Sequence, residues 1–222
     1  MTARLRLAVA AATVALAVAG CATAAPDYQT VWSTTPKATS TSPTAEPSEA
    51  TVPISAYLEQ KGVLGEPVAP DKLTDLTVSI PTPSGWAPYQ NPRMAPGTRM
   101  IAKGPTYPTA MLMVFTLKGD FNAAEAIKHA NVDARMSEGF QELNSSSTDF
   151  GGYPSSMIEG SYDLNNTRMH TYNRIVIATG AAPARQRYLV QFTVTGYADK
   201  AAEESSDIEA IIEGFTVAVP KA

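Results

Sequence analysis

The stretch Y-L-V-Q-F-T-V-T at residues 188–195 decides the fold class of this chain. Large apolar side chains occupy its even positions, whereas its odd positions hold Leu189 and then the polar residues Gln191, Thr193 and Thr195. A period of two residues is typical of a β-strand that presents two different faces. The sequence therefore predicts a long, well-defined strand, around which the other segments can be arranged.

Other segments alternate in the same way or form short apolar runs between turn residues. The run A-M-L-M-V-F-T-L at 110–117 predicts a central strand that is covered on both faces. The pair Asn165-Asn166 predicts a hairpin turn. The predicted strands occupy residues 76–80, 99–102, 110–117, 140–143, 148–150, 153–164, 169–178, 188–195 and 215–219.

Three segments, 54–63, 121–137 and 199–214, have the apolar spacing of helices instead. The second of them begins with Asn122 as N-cap and carries Glu125 three residues later, which is the pattern of a capping box. Hairpins that alternate with separate helices favour the α+β class with a mainly antiparallel sheet. Because the helices fall between groups of strands, they can cover both faces of the sheet, and the sequence predicts an α/β/α sandwich.

The composition excludes several classes of function. With 44% apolar and 17% charged residues, the 222-residue chain can bury a core, and wholesale disorder is excluded. A net charge of −4 does not fit nucleic-acid binding, which needs a clustered basic excess. The single cysteine excludes an intramolecular disulfide and a cysteine-based metal cluster, and there are only two histidines. We therefore expect neither a metal nor a cofactor.

The first 20 residues are typical of an export signal. Two arginines precede an uncharged apolar run at 7–19, which is shorter than the roughly 20 residues that a spanning helix needs. The sequence V-A-G-C at 18–21 resembles a bacterial lipobox, so we expect acylation (palmitate or a similar chain) of Cys21. The acyl chains would anchor the protein at the extracytoplasmic face of the plasma membrane. The alternative is a secretory signal cleaved elsewhere, such as at A-T-A (22–24).

A tether and then one domain are predicted beyond the signal. Residues 22–52 contain 12 Ser/Thr, 6 Ala and 4 Pro among 31 positions, too little apolar material to fold. The sequence therefore predicts that residues 21–52 form a lipidated N-terminus and a disordered tether. Residues 53–222 are predicted to form one globular domain, which is long enough for a single core.

Catalytic patterns are absent from the sequence. It contains no G-x-S-x-G, P-loop, G-x-G-x-x-G or H-E-x-x-H motif, and Cys21 is assigned to the lipid. Glu159 and Asp163, two same-face steps apart on a predicted strand, would lie roughly 13 Å apart. That separation is too large for either glycosidase geometry. We therefore expect a protein without enzymatic activity.

Two groups of residues are candidates for ligand binding. The first is the proline-rich stretch 81–108. Its aromatic residues offer faces for a sugar and its methionines adapt to an acyl chain; they are Trp86, Tyr89, Met94, Met100 and Tyr107. A long stretch with few regular elements is often functional. The alternative is that these side chains only fill the interface between loop and sheet.

The second group lies on a predicted strand, where His170, Tyr172 and Arg174 share one face and could bind an anion or a sugar. The alternative is a polar sheet surface or a histidine whose hydrogen bonds are satisfied within the sheet. Met111 and Met113, with Phe115 on the same face of the central strand, are a further ligand candidate, with ordinary core packing as the alternative.

Several stretches of the domain resemble the mycobacterial LpqN/LpqT lipoprotein family. Among them are L-T-D-L-T-V-S-I-P-T-P-S-G-W-A-P (73–88), Y-P-T-A-M-L-M-V-F (107–115), P-S-S-M-I-E-G-S-Y-D-L (154–164) and S-D-I-E-A-I-I-E-G-F (206–215). The resemblance implies a Mog1/PsbP-like fold, in agreement with the sandwich predicted from the pattern of elements. It brings no family catalytic motif.

The resemblance also implies a function. It indicates a membrane-anchored, non-catalytic lipoprotein that binds or hands over a cell-envelope (glyco)lipid, of the trehalose type, in support of lipid export. An envelope exporter or another envelope protein is then an expected partner. The alternative is a protein–protein adaptor or scaffold of the envelope that binds no lipid.

Overall fold

The computed structural model describes residues 52–220. The predicted signal peptide, Cys21 and the predicted tether lie outside the described residues. None of the helices within residues 52–220 is long and apolar enough to cross a membrane.

Strands dominate the described part of the chain. In chain order they are β1 (Leu64–Val68), β2 (Thr77–Ser79), β3 (Ala87–Pro88), β4 (Arg99–Ala102), β5 (Thr109–Lys118), β6 (Gln141–Ser146), β7 (Ser155–Leu164), β8 (Thr167–Thr179), β9 (Arg187–Tyr197) and β10 (Thr216–Ala218). Eight of them form one antiparallel sheet. Seven follow one another in the order β3-β4-β5-β9-β8-β7-β6, and the eighth, β1, pairs with β5. Strands β2 and β10 pair separately.

The centre of the sheet is the pair β5 and β9, where the sequence predicted its best strands. The alternation in β9 directs Val190 and Phe192 into one core and Leu189 into the other. Strand β5 is buried along nearly its whole length, as its continuous apolar run predicted. Its outer edge is shared, because β4 pairs with residues 109–112 and β1 with residues 114–118.

Helices cover both faces of the main sheet. They are α1 (Ile54–Gln60), α2 (Ala123–Ala126), α3 (Val132–Arg135) and α4 (Ala201–Glu213). One core lies between the sheet, α1 and α2, and includes Ile54 and Leu58. The other lies between the sheet, α4 and the β2/β10 pair, and includes Ile208 and Ile211. The predicted α+β class, with a mainly antiparallel sheet between helical layers, is confirmed.

The hairpin of β7 and β8 is also confirmed. Asn165 and Asn166 connect the two strands with φ of 50° and 62°. The turn that best matches the twist of the strands in a two-residue hairpin requires positive φ at both of its central residues. Asparagine tolerates this conformation. A local signal therefore sets the register of the hairpin of β7 and β8.

The helix predicted over 121–137 is interrupted. Asn122 caps α2 as expected, because its side chain accepts from the N–H groups of Ala124 and Glu125. The chain then passes through a 3₁₀ turn, Ile127–His129, before α3 begins. At the interruption the Asn131 amide donates to the Met157 carbonyl of β7 at 3.2 Å. This contact with a distant strand is invisible to local periodicity.

Strands β1 and β3 are absent from the sequence prediction. Each contains a proline (Pro67 and Pro88), which argues against a strand in the interior of a sheet. Both lie where such a residue is tolerated, β3 at the end of the strand order and β1 with β5 as its partner. A third difference is at residues 148–150, where only a single bridge, Phe150 to Tyr153, replaces the predicted strand.

Candidate functional site

An open groove lies beside β4, at the edge of the main sheet. Its volume is about 410 Å³. One wall comes from the segment that follows β1, and the other from β4 and the proline-rich segment before it. The lining residues are Ala69, Pro70, Asp71, Val78, Pro88, Tyr89, Gln90, Gly97, Thr98, Arg99 and Met100.

A second cavity of about 300 Å³ adjoins the groove. It shares Tyr89, Gln90, Gly97, Thr98 and Met100 with the groove and is closed on its other side by residues 91–96. The two cavities are therefore neighbours, and the residues common to both lie between them. We call the two together the edge groove.

The short strand β3 explains why the sheet leaves room here. It pairs only with Ile101 and Ala102 of β4, and one further backbone bond joins Tyr89 N–H to the Met100 carbonyl. Beyond Tyr89 the chain turns away through residues 91–96, where Pro92 and Pro96 have no N–H to donate. The edge of β4 is therefore left uncovered at Arg99.

Gly97 allows the returning loop to approach the segment after β1. Its φ is 82°, and a Cβ at this position would lie 2.7 Å from the backbone nitrogen of Ala69. A side chain here would clash with backbone, which cannot move away cheaply, and would also be strained by the positive φ. The close approach of the two groove walls thus depends on a glycine.

The proline-rich candidates separate in the structure. Tyr89 and Met100 line the edge groove, and Met100 is only 4% exposed. Trp86 is 6% exposed and belongs to the core beneath α4. Tyr107 is partly buried and packs edge-on against Tyr197, with ring centroids 5.4 Å apart. Trp86 and Tyr107 are not among the residues that line the groove.

Trp86 instead fastens the proline-rich segment to α4. Its indole Nε1 donates to Asp207 Oδ2 at 3.2 Å, and Lys103 Nζ donates to the same oxygen at 2.6 Å. The Lys103 hydrogen bond, followed by that of Trp86, lowers the pKa of the Asp207 carboxyl below its usual value. This three-residue contact joins the groove-bearing segment to α4.

The strand candidates share a face, as the spacing predicted, but their polar atoms are used within the sheet. His170 Nε2 lies 3.1 Å from Glu159 Oε1. Arg174 donates to the Tyr172 hydroxyl at 2.8 Å and to Ser155 Oγ at 3.0 Å. Strands β5 and β9 separate β8 from β4, so this cluster is not part of the edge groove. Met111 and Met113 are each 1% exposed and lie in the core beneath α1 and α2.

The structure adds groove residues that sequence reasoning missed. They include Ala69, Pro70 and Asp71 from one wall, and Gln90, Thr98 and Arg99 from the other. Arg99 was placed on a strand, but nothing in the local pattern indicates that residues 69–71 lie opposite it. Among residues 52–220, no group of three or more His, Cys, Asp or Glu side chains is arranged to hold a metal ion.

Fold and site together define a small α+β sandwich with a partly apolar groove at one sheet edge. The family described as "Probable lipoprotein LpqN" matches residues 50–218. The chain belongs to this LpqN/LpqT lipoprotein family, as the sequence motifs indicated. It is therefore an envelope lipoprotein of the LpqN/LpqT type, and family membership implies a membrane-associated position in the cell envelope.

The relatives cover most of the chain. "Putative lipoprotein LpqT" of Mycobacterium tuberculosis is 59% identical over 214 residues, which are 96% of this chain and 93% of LpqT. The "Proline-rich 28 kDa antigen" of Mycobacterium tuberculosis is 35% identical over 165 residues, which are 72% of this chain and 52% of the antigen. The similarity to LpqT extends into the N-terminal region, beyond the residues of the folded domain.

A solved structure of the same family agrees on the fold. The crystal structure of LpqN, involved in cell envelope biogenesis of Mycobacterium tuberculosis, has a TM-score of 0.65 at 20% identity and covers 77% of this chain and 99% of its own. More distant matches are cyanobacterial PsbP from Synechocystis (TM-score 0.43, 13% identity, 66% and 94% covered) and Mog1p from Saccharomyces cerevisiae (0.39, 9%, 69% and 95%).

Proposed function

We propose that the chain is a membrane-anchored, non-catalytic lipoprotein whose edge groove takes up an amphipathic cell-envelope lipid. The observation that carries this proposal is the groove itself. Its main cavity of about 410 Å³ falls within the roughly 300–1,000 Å³ typical of small-molecule sites. Tyr89 offers an aromatic face for a sugar, and Met100 offers a surface that adapts to an acyl chain. Acylation at Cys21 would keep this groove at the extracytoplasmic face of the plasma membrane.

The lining of the groove favours binding over catalysis. Asp71 and Arg99 are its charged residues, and none of the residues that line it is a histidine, cysteine, lysine or glutamate. General acid–base and nucleophilic mechanisms need an activated base or nucleophile beside the substrate. Both histidines are engaged elsewhere, His170 with Glu159 and His129 with the Val52 carbonyl at 2.9 Å. A carrier that hands lipid to an envelope exporter needs none of these groups.

The proposal is tested by filling the groove. Gln90 lines both cavities and its side chain makes no hydrogen bond within residues 52–220, so Gln90→Trp adds bulk at the middle of the groove. Gln60→Trp, at the exposed end of α1, is the matched control. The full chain would be produced in a mycobacterial envelope, and native mass spectrometry would identify lipid carried by each variant, including trehalose glycolipids.

We expect lipid on the natural chain and on Gln60→Trp, and its loss from Gln90→Trp. If the natural chain carries no lipid and binds no added acylated trehalose, the carrier function is wrong. Equal lipid on both tryptophan variants would place the lipid outside the edge groove. Identical melting temperatures of the two variants would show that the difference does not come from unfolding.

A second candidate function is an adaptor for another envelope protein, supported by the opposite sheet edge. Strand β6 pairs only with β7 among residues 52–220, and its residues are almost all exposed. Met136 and Leu143, which are 70% and 65% exposed, flank the ion pair of Arg135 and Glu142 at 3.0 Å. A free strand edge with apolar side chains can accept an extended segment of a partner.

A photoreactive residue at Leu143 tests the adaptor, with the same residue at Leu64 as control. Leu64 is equally exposed, at 64%, but lies on β1 at the other side of the sheet. An adaptor would give one discrete cross-linked envelope protein from position 143 that position 64 does not give. The same products from both positions, or none from position 143, would contradict it.

A further inference from the structure

We propose that the edge groove binds amphiphiles with an anionic head group, of the phosphate type, and that Arg99 is the residue that selects the charge. This inference rests on the proposed function and names the class of ligand that the groove accepts. It is argued from the charge distribution of the segment that forms the groove and from the hydrogen-bonding groups that line it.

One of the two segments that form the groove walls is basic, whereas the protein as a whole is acidic. Residues 76–119 contain four basic residues and no aspartate or glutamate, whereas the whole chain has a net charge of −4. Two of the four are neutralised by ion pairs, Lys103 with Asp207 and Lys118 with Glu66. The two arginines, Arg93 and Arg99, carry no ion pair or side-chain hydrogen bond within residues 52–220.

Arg99 lies in the wall of the groove, and Arg93 lies on the loop that closes its second cavity. Asp71, on the opposite wall, lies 3.8 Å from its neighbour Lys72, which offsets its charge. Asp71, Lys72, Arg93 and Arg99 together carry a formal charge of +2 around the groove. An exposed guanidinium that is free of protein partners can offer paired N–H donors in the geometry that phosphate and carboxylate oxygens accept.

Two amides line the second cavity, and one of them, Gln90, also lines the cavity that contains Arg99. Asn91 Oδ1 accepts from the Arg93 backbone N–H at 3.0 Å, which orients the amide. Asn91 Nδ2 is then buried without a hydrogen-bond partner in the described chain, and such a donor is costly unless a ligand or water satisfies it. The Gln90 amide beside it has no side-chain hydrogen bond in residues 52–220 either. Because Asn91 Nδ2 is buried, the Gln90 amide is the donor that the groove presents beside Arg99, and such a donor suits an anion.

The apolar part of the groove holds the rest of the ligand. The cavity that contains Arg99 is also lined by Val78, Pro88, Tyr89 and Met100. An apolar chain attached to the bound head group can pack against these side chains and is thereby removed from water. A single amphiphile could therefore place its head group at Arg99 and its acyl chain along the proline-rich segment. An inorganic anion would satisfy only the polar half of the lining.

The test compares two probes with the same tail, dodecyl phosphate and dodecyl glucoside, titrated calorimetrically into the full chain below their micellar concentrations. We expect the phosphate to bind about tenfold more tightly, and Arg99→Gln to remove this preference by weakening the phosphate alone, since a hydrogen bond to a charged group commonly has that effect. Arg185→Gln, which removes an exposed arginine that does not line the groove, should change neither affinity.

Each other outcome has a different meaning. If neither probe binds, the proposed lipid-binding function fails, and this inference fails with it. If both probes bind equally, or if Arg99→Gln weakens both alike, the groove binds amphiphiles without selecting charge, and only this inference is overturned. Inorganic phosphate that binds as tightly as dodecyl phosphate would indicate a site for a free anion, and the proposed amphiphile class would be wrong. Unchanged melting of Arg99→Gln excludes unfolding as the cause.

Discussion

Asp133 in α3 provides a quantitative test of how the helical layer packs on the sheet. Its side chain is partly buried, and its Oδ2 atom has no hydrogen-bond partner within residues 52–220. Burial without a compensating donor raises the pKa of the Asp133 carboxyl from 3.8 to about 6. The charged form is therefore disfavoured in the folded protein, and we predict that removing the charge by Asp133→Asn changes stability in a pH-dependent way.

The sign of the effect follows from proton linkage. Between pH 4 and 6 the unfolded chain has lost the Asp133 proton while the folded chain still holds it, so stability falls as the pH rises through this window. Above about pH 6 the cost is constant. A shift of about two pKa units corresponds to about 3 kcal/mol. Because solvent still reaches part of the side chain, we expect about half of this, roughly 1.5 kcal/mol.

The assay is urea denaturation of the natural chain and of Asp133→Asn at pH 4.0 and pH 7.5. The free-energy difference between variant and natural chain should favour the variant by roughly 1.5 kcal/mol more at pH 7.5 than at pH 4.0. Comparing two pH values cancels any constant effect of the new amide. A difference that is the same at both pH values, or that favours the natural chain at pH 7.5, would refute the reasoning.

Two further changes test contacts described above. Trp86→Phe removes the indole N–H that donates to Asp207 and should lower the free energy of unfolding, measured by urea denaturation, by about 1–2 kcal/mol. The control Trp32→Phe, in the predicted tether, should leave it unchanged. Equal effects of the two substitutions would contradict a stabilising role for the Trp86–Asp207 hydrogen bond. Asn122→Ala removes the side-chain oxygen that accepts from the N–H groups of Ala124 and Glu125, and should lower the free energy of unfolding by about 1 kcal/mol. An unchanged urea midpoint would show that this cap does not stabilise α2.

The groove was accessible to sequence reasoning only in part. Tyr89 and Met100 were predicted from the proline-rich stretch and do line it, whereas Trp86 and Tyr107 face other partners. Proline and aromatic residues mark a segment with little regular structure, but they do not say which side chains point away from the sheet. Whether any of these residues binds a ligand stays a prediction.

The sequence by itself determined the long strands, the hairpin turn and the covered central strand, because alternation, positive-φ residues and continuous apolar runs act within a few neighbouring positions. Only the tertiary structure decided the broken helix, the shared edge of β5 and the groove. Asn131 meets Met157, and Gly97 meets Ala69. Such contacts join residues far apart in the chain, and their geometry arises only when the sheet brings them together.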